Sequence, residues 1–282
     1  MTAPGIAPGA SAGSAPGVEP WLVALDVDGT LLDYSERLAP AVADAVTATL
    51  AAGHHVVLAT GRSVTATVPV ARELGIERGW AVCSNGSLTI RLDPDLPGGY
   101  EVATSITFDP GPALRLLHTQ LPDALFAVEE VGVGFRVNRL FPPGELHGEH
   151  TVVGLDNLAS AHVTRLVVRS PEHTPEEFHE LAARLGLADV SYAIGWSAWM
   201  DVAPAGVTKA AALEPLREAL GVGDRTLAAG DGNNDVEMLR WATRGVAMGH
   251  APDTAKAAAD EVAASITEDG LAPVLRSLPG VG

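Results

Sequence analysis

The run W-L-V-A-L-D-V-D-G-T-L-L, Trp21 to Leu32, constrains the fold of this chain more than any other stretch. Its short apolar half reads as a buried strand. Asp26 and Asp28 follow directly, and Gly29 with Thr30 closes a turn. The Asp-x-Asp-Gly segment then falls at the C-terminal end of the strand, where parallel α/β sheets place their ligands. Residues i and i+2 of a strand point the same way, so strand geometry carried to its end puts Asp26 and Asp28 on one face. Two adjacent carboxylates repel, and desolvation makes this worse. A hard divalent cation is the simplest compensation, and Mg2+ prefers one or two carboxylates plus water and phosphate oxygens. The alternative is an ordinary acidic turn, because D-G is a common turn dipeptide.

A second acidic cluster lies far downstream, in T-L-A-A-G-D-G-N-N-D-V-E-M-L, Thr226 to Leu239. Another apolar run ends in Gly230, Asp231, Gly232, Asn233, Asn234 and Asp235, and a helical pattern follows. Glycines let backbone approach a ligand closely. Asp231 sits at a strand end as Asp26 does, Asn234 offers an amide donor, and Asp235 adds a carboxylate. A capped helix after a Gly-rich turn is the plainer reading of this stretch alone. Two such loops in one α/β chain make bare turns a poor account of both.

Four motifs stand in order along the chain: Asp26-Val27-Asp28-Gly29-Thr30; H-V-V-L-A-T-G-R from His55 to Arg62; Lys209 within D-V-A-P-A-G-V-T-K-A; and Gly230 to Asp235. From about Trp21 onwards the chain resembles a haloacid dehalogenase superfamily phosphatase of the Cof-type branch. The Cys83-Ser84-Asn85-Gly86 run resembles that family's Asn-Gly segment where its cap begins, and Asp269-Gly270 its C-terminal Asp-Gly step. The resemblance implies a Rossmann-like parallel-sheet core with an inserted large α+β cap of the C2 type.

It also implies roles. Asp26 is the nucleophile that forms an aspartyl-phosphate, and Asp28 the general acid/base. Asp26 and Asp231 ligate Mg2+ through their side chains, Asp28 through its backbone carbonyl. Asp235 holds metal-bound water or orients Lys209. Lys209 neutralises the phosphate and Asp26. Thr60, Gly61, Lys209 and Asn234 bind the substrate phosphate. Arg62 contacts phosphate or substrate, or makes a surface salt bridge, and Asn85 is a further candidate for substrate contact.

The expected activity is Mg2+-dependent hydrolysis of a small soluble phosphomonoester, with a sugar phosphate the best guess. Two alternatives remain: a phosphomutase or phosphotransferase on a similar substrate, and a non-catalytic phosphate-binding regulatory protein. An aspartate at position 28 favours hydrolysis over the phosphoaspartate-accumulating chemistry of other relatives, although phosphomutase relatives also carry it. A phosphate binder has no need of Asp28.

Bulk properties narrow the partners. The formal net charge is -17, against nucleic-acid binding through a basic surface and against an anionic membrane. No apolar run approaches the ~20 residues of a membrane span. The single cysteine, Cys83, excludes an intrachain disulfide and fits a reducing compartment, hence a cytoplasmic location. Nine histidines form no tidy ligand set, which argues against a zinc site. The partner is a small-molecule phosphate ester, and the oligomeric state is left open.

Strand–helix units run from Trp21 to Cys83 and resume after Lys209, with a change of rhythm between. The expected organisation is a disordered Gly/Ala/Pro/Ser leader over 1–18, a discontinuous core over 19–85 and 204–282, and an α+β cap over 86–203. The cap carries a helix over Pro175 to Leu185. It also carries Trp196 and Trp199, read as cap core with stacking on a sugar as the alternative. Arg136, Arg139 and Arg165 read as solvated, with reach to substrate the other possibility.

Overall fold

The computed structural model describes residues 18–174, 176–178, 180, 190–194 and 198–282. Residues 1–17 of the expected leader, most of the helix expected over 175–185, and Trp196 lie outside the described residues.

Two sheets organise the described residues. The N-terminal part supplies β1 (Leu22–Leu25), β2 (His55–Ala59), β3 (Gly79–Cys83), β4 (Leu88–Leu92) and β5 (Tyr100–Ser105) to the first sheet. The second sheet is built from β6 (Leu125–Glu130), β7 (Gly134–Val137), β8 (Glu149–Val152), β9 (Leu166–Arg169), β10 (Val190–Ile194) and β11 (Trp199–Pro204). The chain then returns to the first sheet with β12 (Thr226–Gly230), β13 (Arg244–Ala247) and β14 (Glu261–Val262). The described α-helices are α1 (Pro40–Ala51), α2 (Val64–Glu73), α3 (Gly111–Gln120), α4 (Leu155–Leu158), α5 (Lys209–Leu220), α6 (Val236–Trp241), α7 (Asp253–Lys256) and α8 (Leu271–Arg276).

The first sheet has the order β14-β13-β12-β1-β2-β3-β4-β5. From β14 to β3 every pairing is parallel. Consecutive residues of β1 feed opposite faces, as strand geometry requires. Val23 and Leu25 pack with Val42 and Val46 of α1 and with Leu271 and Leu275 of α8. Leu22 and Ala24 pack with Leu213 and Leu216 of α5 and Met238 and Leu239 of α6. Both faces are covered, which explains why these strands are continuous apolar runs rather than alternating ones. In α1, Val42, Ala45, Val46 and Thr49 are buried at helical spacing, and Pro40 opens the helix without losing a needed N–H.

The boundary of the insert differs from the expectation. The strands at 88–92 and 100–105, assigned from sequence to the cap, extend the first sheet instead: β4 pairs antiparallel with β3, and β5 with β4. The cause is the turn after β3. Ser84, Asn85 and Gly86 all take positive φ, at 50°, 54° and 106°, and turn the chain back on itself. Leu88, Ile90 and Leu92 are then buried in the first sheet's own core. Helix α3 and the second sheet follow, with Leu114 and Leu117 packed on Phe126, Val128, Leu166 and Val168. This part is α+β, as expected. Among the described residues no helix is long and apolar enough to cross a membrane.

Gly86 has no room for a side chain, because a Cβ there would stand 2.3 Å from the Thr208 carbonyl oxygen. Its φ also falls where L side chains are strained. Gly86→Ala is expected to lower the unfolding free energy by about 2 kcal/mol or more in denaturant titration. An unchanged midpoint would contradict this account of the turn.

Candidate active site

The parallel register sets Leu25 opposite Ala229, and the Asp26 N–H donates to the Ala229 carbonyl at 3.0 Å. Asp26 and Asp231 therefore leave adjacent strands at the same sheet edge. Neighbouring strands lie only about 4.8 Å apart. The two acidic loops can close further because position 29 is glycine: a Cβ on Gly29, at φ 82°, would lie 2.2 Å from Asp231 Oδ2.

Lys209 reaches this edge from the first turn of α5. Thr208 caps the helix, its hydroxyl accepting from the Ala211 N–H at 3.1 Å. A cation at a helix N-terminus opposes the helix dipole, so the carboxylates, not the helix, hold Lys209 in place. Its ammonium donates to Asp26 Oδ1 at 2.5 Å and to Asp235 Oδ1 at 2.6 Å, and the side chain is fully buried. The other Asp235 oxygen accepts from the backbone N–H groups of Asp231 at 3.0 Å and Gly232 at 2.8 Å. Asp231 in turn accepts from the Tyr34 hydroxyl at 3.3 Å, and Thr30 Oγ1 lies 3.5 Å away.

Asp26, Asp231 and Asp235 can bring one oxygen each within 4.8 Å of one another. Three buried carboxylates thus face one ammonium. Burial, then the charge of Asp235, pushes Asp26 well above the usual carboxylate range despite Lys209. Burial and Asp235 likewise push Asp231 up to about 7. Burial alone would lower Lys209, but Asp235 and Asp26 hold it above its ordinary value. The surplus negative charge and the all-oxygen donor set fit a hard divalent cation. Asp26 and Asp231 are its natural ligands. Both Asp235 oxygens are already hydrogen-bonded, so Asp235 fits the orienting role toward Lys209 better than direct ligation. His250 Nε2 lies 3.4 Å from Asp231, and burial lowers its basicity.

Asp28 does not join this cluster. Its carboxylate is exposed and paired with Arg62, whose Nη2 donates to Asp28 Oδ1 at 2.6 Å and whose Nε donates to Oδ2 at 3.0 Å. The expectation that the Asp26 and Asp28 carboxylates share a face is corrected here. Gly29 at positive φ begins the turn at once, and Arg62 draws the Asp28 side chain aside. Arg62 also donates to Glu36 at 2.9 Å, so its salt bridges lie in the cleft wall with only 12% of the side chain exposed.

Thr60 follows β2 and is fully buried; its Oγ1 accepts from the Arg62 N–H at 3.0 Å, which shapes the loop that presents Gly61. Asn234 donates its amide to Asn85 Oδ1 at 3.0 Å, and Asn85 donates to Asp201 Oδ2 at 3.4 Å. Asn85 is thus a bridge between Asn234 and the strand β11. Arg165, expected to be solvated, is buried at 5% exposure, and its Nη1 donates to the Gly61 carbonyl. These groups surround a cleft of about 490 Å³ lined by Asp26, Asp28, Gly61, Arg62, Asp231 and Asn234 from the first sheet, with Arg165, Trp199 and Asp201 from the second. The sequence carries no local signal for Tyr34, Glu36, Arg165 or His250, which reach the site from loops or strands without a motif.

The family model for haloacid dehalogenase-like hydrolases matches residues 23–97 and 147–275. The chain belongs to that family. This hydrolase is 27% identical over 274 residues to the 5-amino-6-(5-phospho-D-ribitylamino)uracil phosphatase YitU of Bacillus subtilis, covering 92% of this chain and 97% of that protein. It is 28% identical over 277 residues to the pyridoxal phosphate phosphatase YbhA of Escherichia coli, covering 91% and 97%. The solved structure of the sugar phosphatase BT4131 aligns with a TM-score of 0.75 at 24% identity, over 93% of this chain and 100% of that one. BT1666 of Bacteroides thetaiotaomicron aligns with a TM-score of 0.72 at 25% identity, over 97% and 100%. The fold of this hydrolase is therefore the family's parallel-sheet core with an inserted cap.

Removing the Lys209 charge leaves Asp26 and Asp235 buried without their cation. Lys209→Met is expected to cost about 3–5 kcal/mol of stability at neutral pH. The sign of its pH dependence follows from Asp26. Its folded pKa, already raised, rises further in the variant, so the folded state holds a proton that the unfolded chain releases. Stability then falls as pH climbs from the unfolded value near 4 through the folded one. The deficit should be smaller at pH 5.5 than at pH 8 in urea titrations; the opposite trend would contradict this electrostatic reading.

Proposed function

We propose that this hydrolase is an Mg2+-dependent phosphatase that transfers the phosphoryl group of a small ester to Asp26 and then to water. The observation that carries the reading is the Lys209 ammonium buried between Asp26 and Asp235, 2.5 and 2.6 Å from their oxygens, beside Asp231 at the open end of the sheet.

Asp26 attacks phosphorus with the oxygen that Lys209 leaves free; the ester oxygen departs and takes a proton from Asp28, which acquires that proton from solvent on leaving its Arg62 pairing. The product of this half is the alcohol and an aspartyl-phosphate. Asp28, now a carboxylate, removes a proton from water as that water attacks phosphorus, which frees inorganic phosphate and restores Asp26. Arg62 holds the Asp28 carboxylate when it is ionised. Lys209 fixes the Asp26 rotamer and offsets the charge that spreads over the transferring oxygens. The Gly61 loop and Asn234 supply donors to the phosphate. A divalent cation bound by Asp26 and Asp231 supplies neutralising charge and phosphate orientation when present.

The full-length likeness to relatives that are phosphatases of small phosphate esters supports this substrate class. A formal charge of -17 makes nucleic acid and anionic membranes poor partners. Cys83 is buried, and burial pushes its thiol up to about 12. One inert cysteine accords with a cytoplasmic enzyme.

Phosphate release from a panel of monoesters tests the proposal. Turnover should require Mg2+ and vanish with EDTA. Asp26→Asn should lose about 10³-fold or more in kcat, and Asp28→Asn about 10²- to 10⁴-fold. Full activity in Asp26→Asn, or turnover indifferent to EDTA, would overturn it.

A further inference from the structure

The chemistry above makes no use of Arg165, a guanidinium buried beside the cleft. Arg165 stands just before β9, and its carbonyl accepts from the Glu129 N–H at 3.1 Å, which ties it to β6. Its guanidinium sits over the buried Phe135 ring, 5.3 Å from the centroid. Two carboxylates flank it, Glu129 at 3.8 Å and Asp201 at 3.5 Å. Ser84 and Thr164 hold Glu129, and side-chain hydrogen bonds from Asn85 and Trp199 hold Asp201. Among the described residues the guanidinium makes one hydrogen bond, to the Gly61 carbonyl of the other sheet's unit. A buried charge network is a weak source of stability, since apolar side chains of like volume often do as well. What this one delivers is a rigid donor held against the Gly61 loop.

Residues 60–62 carry six backbone hydrogen-bonding groups, and five are engaged. The Thr60 N–H donates to Val82, and the Thr60 carbonyl accepts from the Asn85 N–H at 3.0 Å. The Arg62 carbonyl accepts from the Ser84 N–H at 2.9 Å, and the Arg62 N–H donates to Thr60 Oγ1 at 3.0 Å. These four partners lie in the first sheet and its loops. Arg165 is the fifth, and it comes from the second sheet's unit. The Gly61 N–H has no acceptor among the described residues, and Gly61 lines the cleft.

We infer that Arg165 is a positioning residue for phosphoryl transfer: by holding the Gly61 carbonyl it fixes the loop's one spare N–H as a donor to the transferring phosphate. This rests on the phosphatase reading and deepens it. The Gly61 carbonyl and the Arg62 N–H belong to one rigid peptide plane. Arg165 and Thr60 Oγ1 grip that plane at its two ends. Without Arg165 one grip is lost, at a residue with no side chain to restrain its own backbone. The hydrogen bond from a guanidinium is charge-assisted and so among the stronger ones available.

Arg165→Met alone strands two buried carboxylates and is destabilised. Arg165→Met/Glu129→Gln removes one charge of each sign and keeps the balance, so it is compared with Glu129→Gln alone. Circular dichroism and thermal melts check that both are folded. The substrate is p-nitrophenyl phosphate, or the best ester of the phosphate-release panel, at saturating Mg2+. The double variant should lose about 10- to 100-fold in kcat. KM should stay within about threefold, since a misplaced donor is felt most in the transition state. Equal kcat in the two variants overturns the inference, because the Gly61 peptide then has no need of Arg165. A loss carried by KM alone also overturns it, because Arg165 then acts as a substrate contact. In either case the phosphatase reading stands if the unaltered protein turns the ester over. If the unaltered protein hydrolyses no ester, that reading fails and takes this inference with it.

Discussion

The Lys209 ammonium is the contact on which the rest of the site depends. It is fully buried, which would be unfavourable for an isolated cation, and it is stable there because two carboxylates accept its hydrogen bonds. Those carboxylates come from loops 209 residues apart in sequence, Asp26 after β1 and Asp235 before α6, so one ammonium ties the two acidic loops and the start of α5 into a single unit. The same pairing leaves one Asp26 oxygen free. The nucleophilic role proposed for Asp26 needs just that: a fixed rotamer and one oxygen left to the cleft.

Charge balance then explains why the site calls for a cation. One ammonium cannot neutralise Asp26, Asp231 and Asp235 together, and burial raises Asp26 and Asp231 against ionisation. The fold tolerates the crowding through particular devices. Asp235 is held by two backbone N–H groups as well as Lys209. Asp231 has the Tyr34 hydroxyl. Gly29 yields the space that a methyl group would take from Asp231. The hydrogen bonds offset part of the repulsion and Gly29 removes a steric clash, and none of them removes the negative charge that suits a divalent metal.

Much of this was legible in the sequence because it is local. A strand followed at once by aspartate is visible in one window, and so are Asp26, Asp231 and Asp235 as chemistry-bearing positions, whereas Lys209, a lone lysine at a helix start, stands out only through the family resemblance. The parallel core was equally legible, since strands buried on both faces are continuous apolar runs. What was not legible depends on contacts distant in sequence. The direction of Asp28 is set by Arg62, 34 residues on. The fate of β4 and β5 was decided by three residues with positive φ, and nothing in their alternating pattern says which sheet they join. Arg165 carries the charge of a surface residue, yet it is buried because Gly61, Asp201 and Glu129 surround it. Glu129 is likewise buried, accepting from Ser84 at 2.6 Å and Thr164 at 3.1 Å.

Those last contacts bear on how the two sheets work together. Glu129 and Thr164 belong to the second sheet's unit, while Ser84 follows β3 of the first. Arg165 bonds the carbonyl of Gly61, and Asp201 holds Asn85, which holds Asn234. The cap therefore touches the Gly61 and Asn234 loops, proposed above to bind phosphate, through their backbone and their amides. A leaving group lodged against Trp199 and Asp201 would press on the same residues that place Gly61 and Asn234. On the proposed phosphatase reading, recognition of the leaving group and placement of the phosphate donors would be linked, and a ligand that fits the outer wall poorly would also find the inner donors less well aligned. In such an arrangement specificity is expressed in the chemical step as well as in binding, because the energy of fitting the leaving group is used to align the phosphate for Asp26.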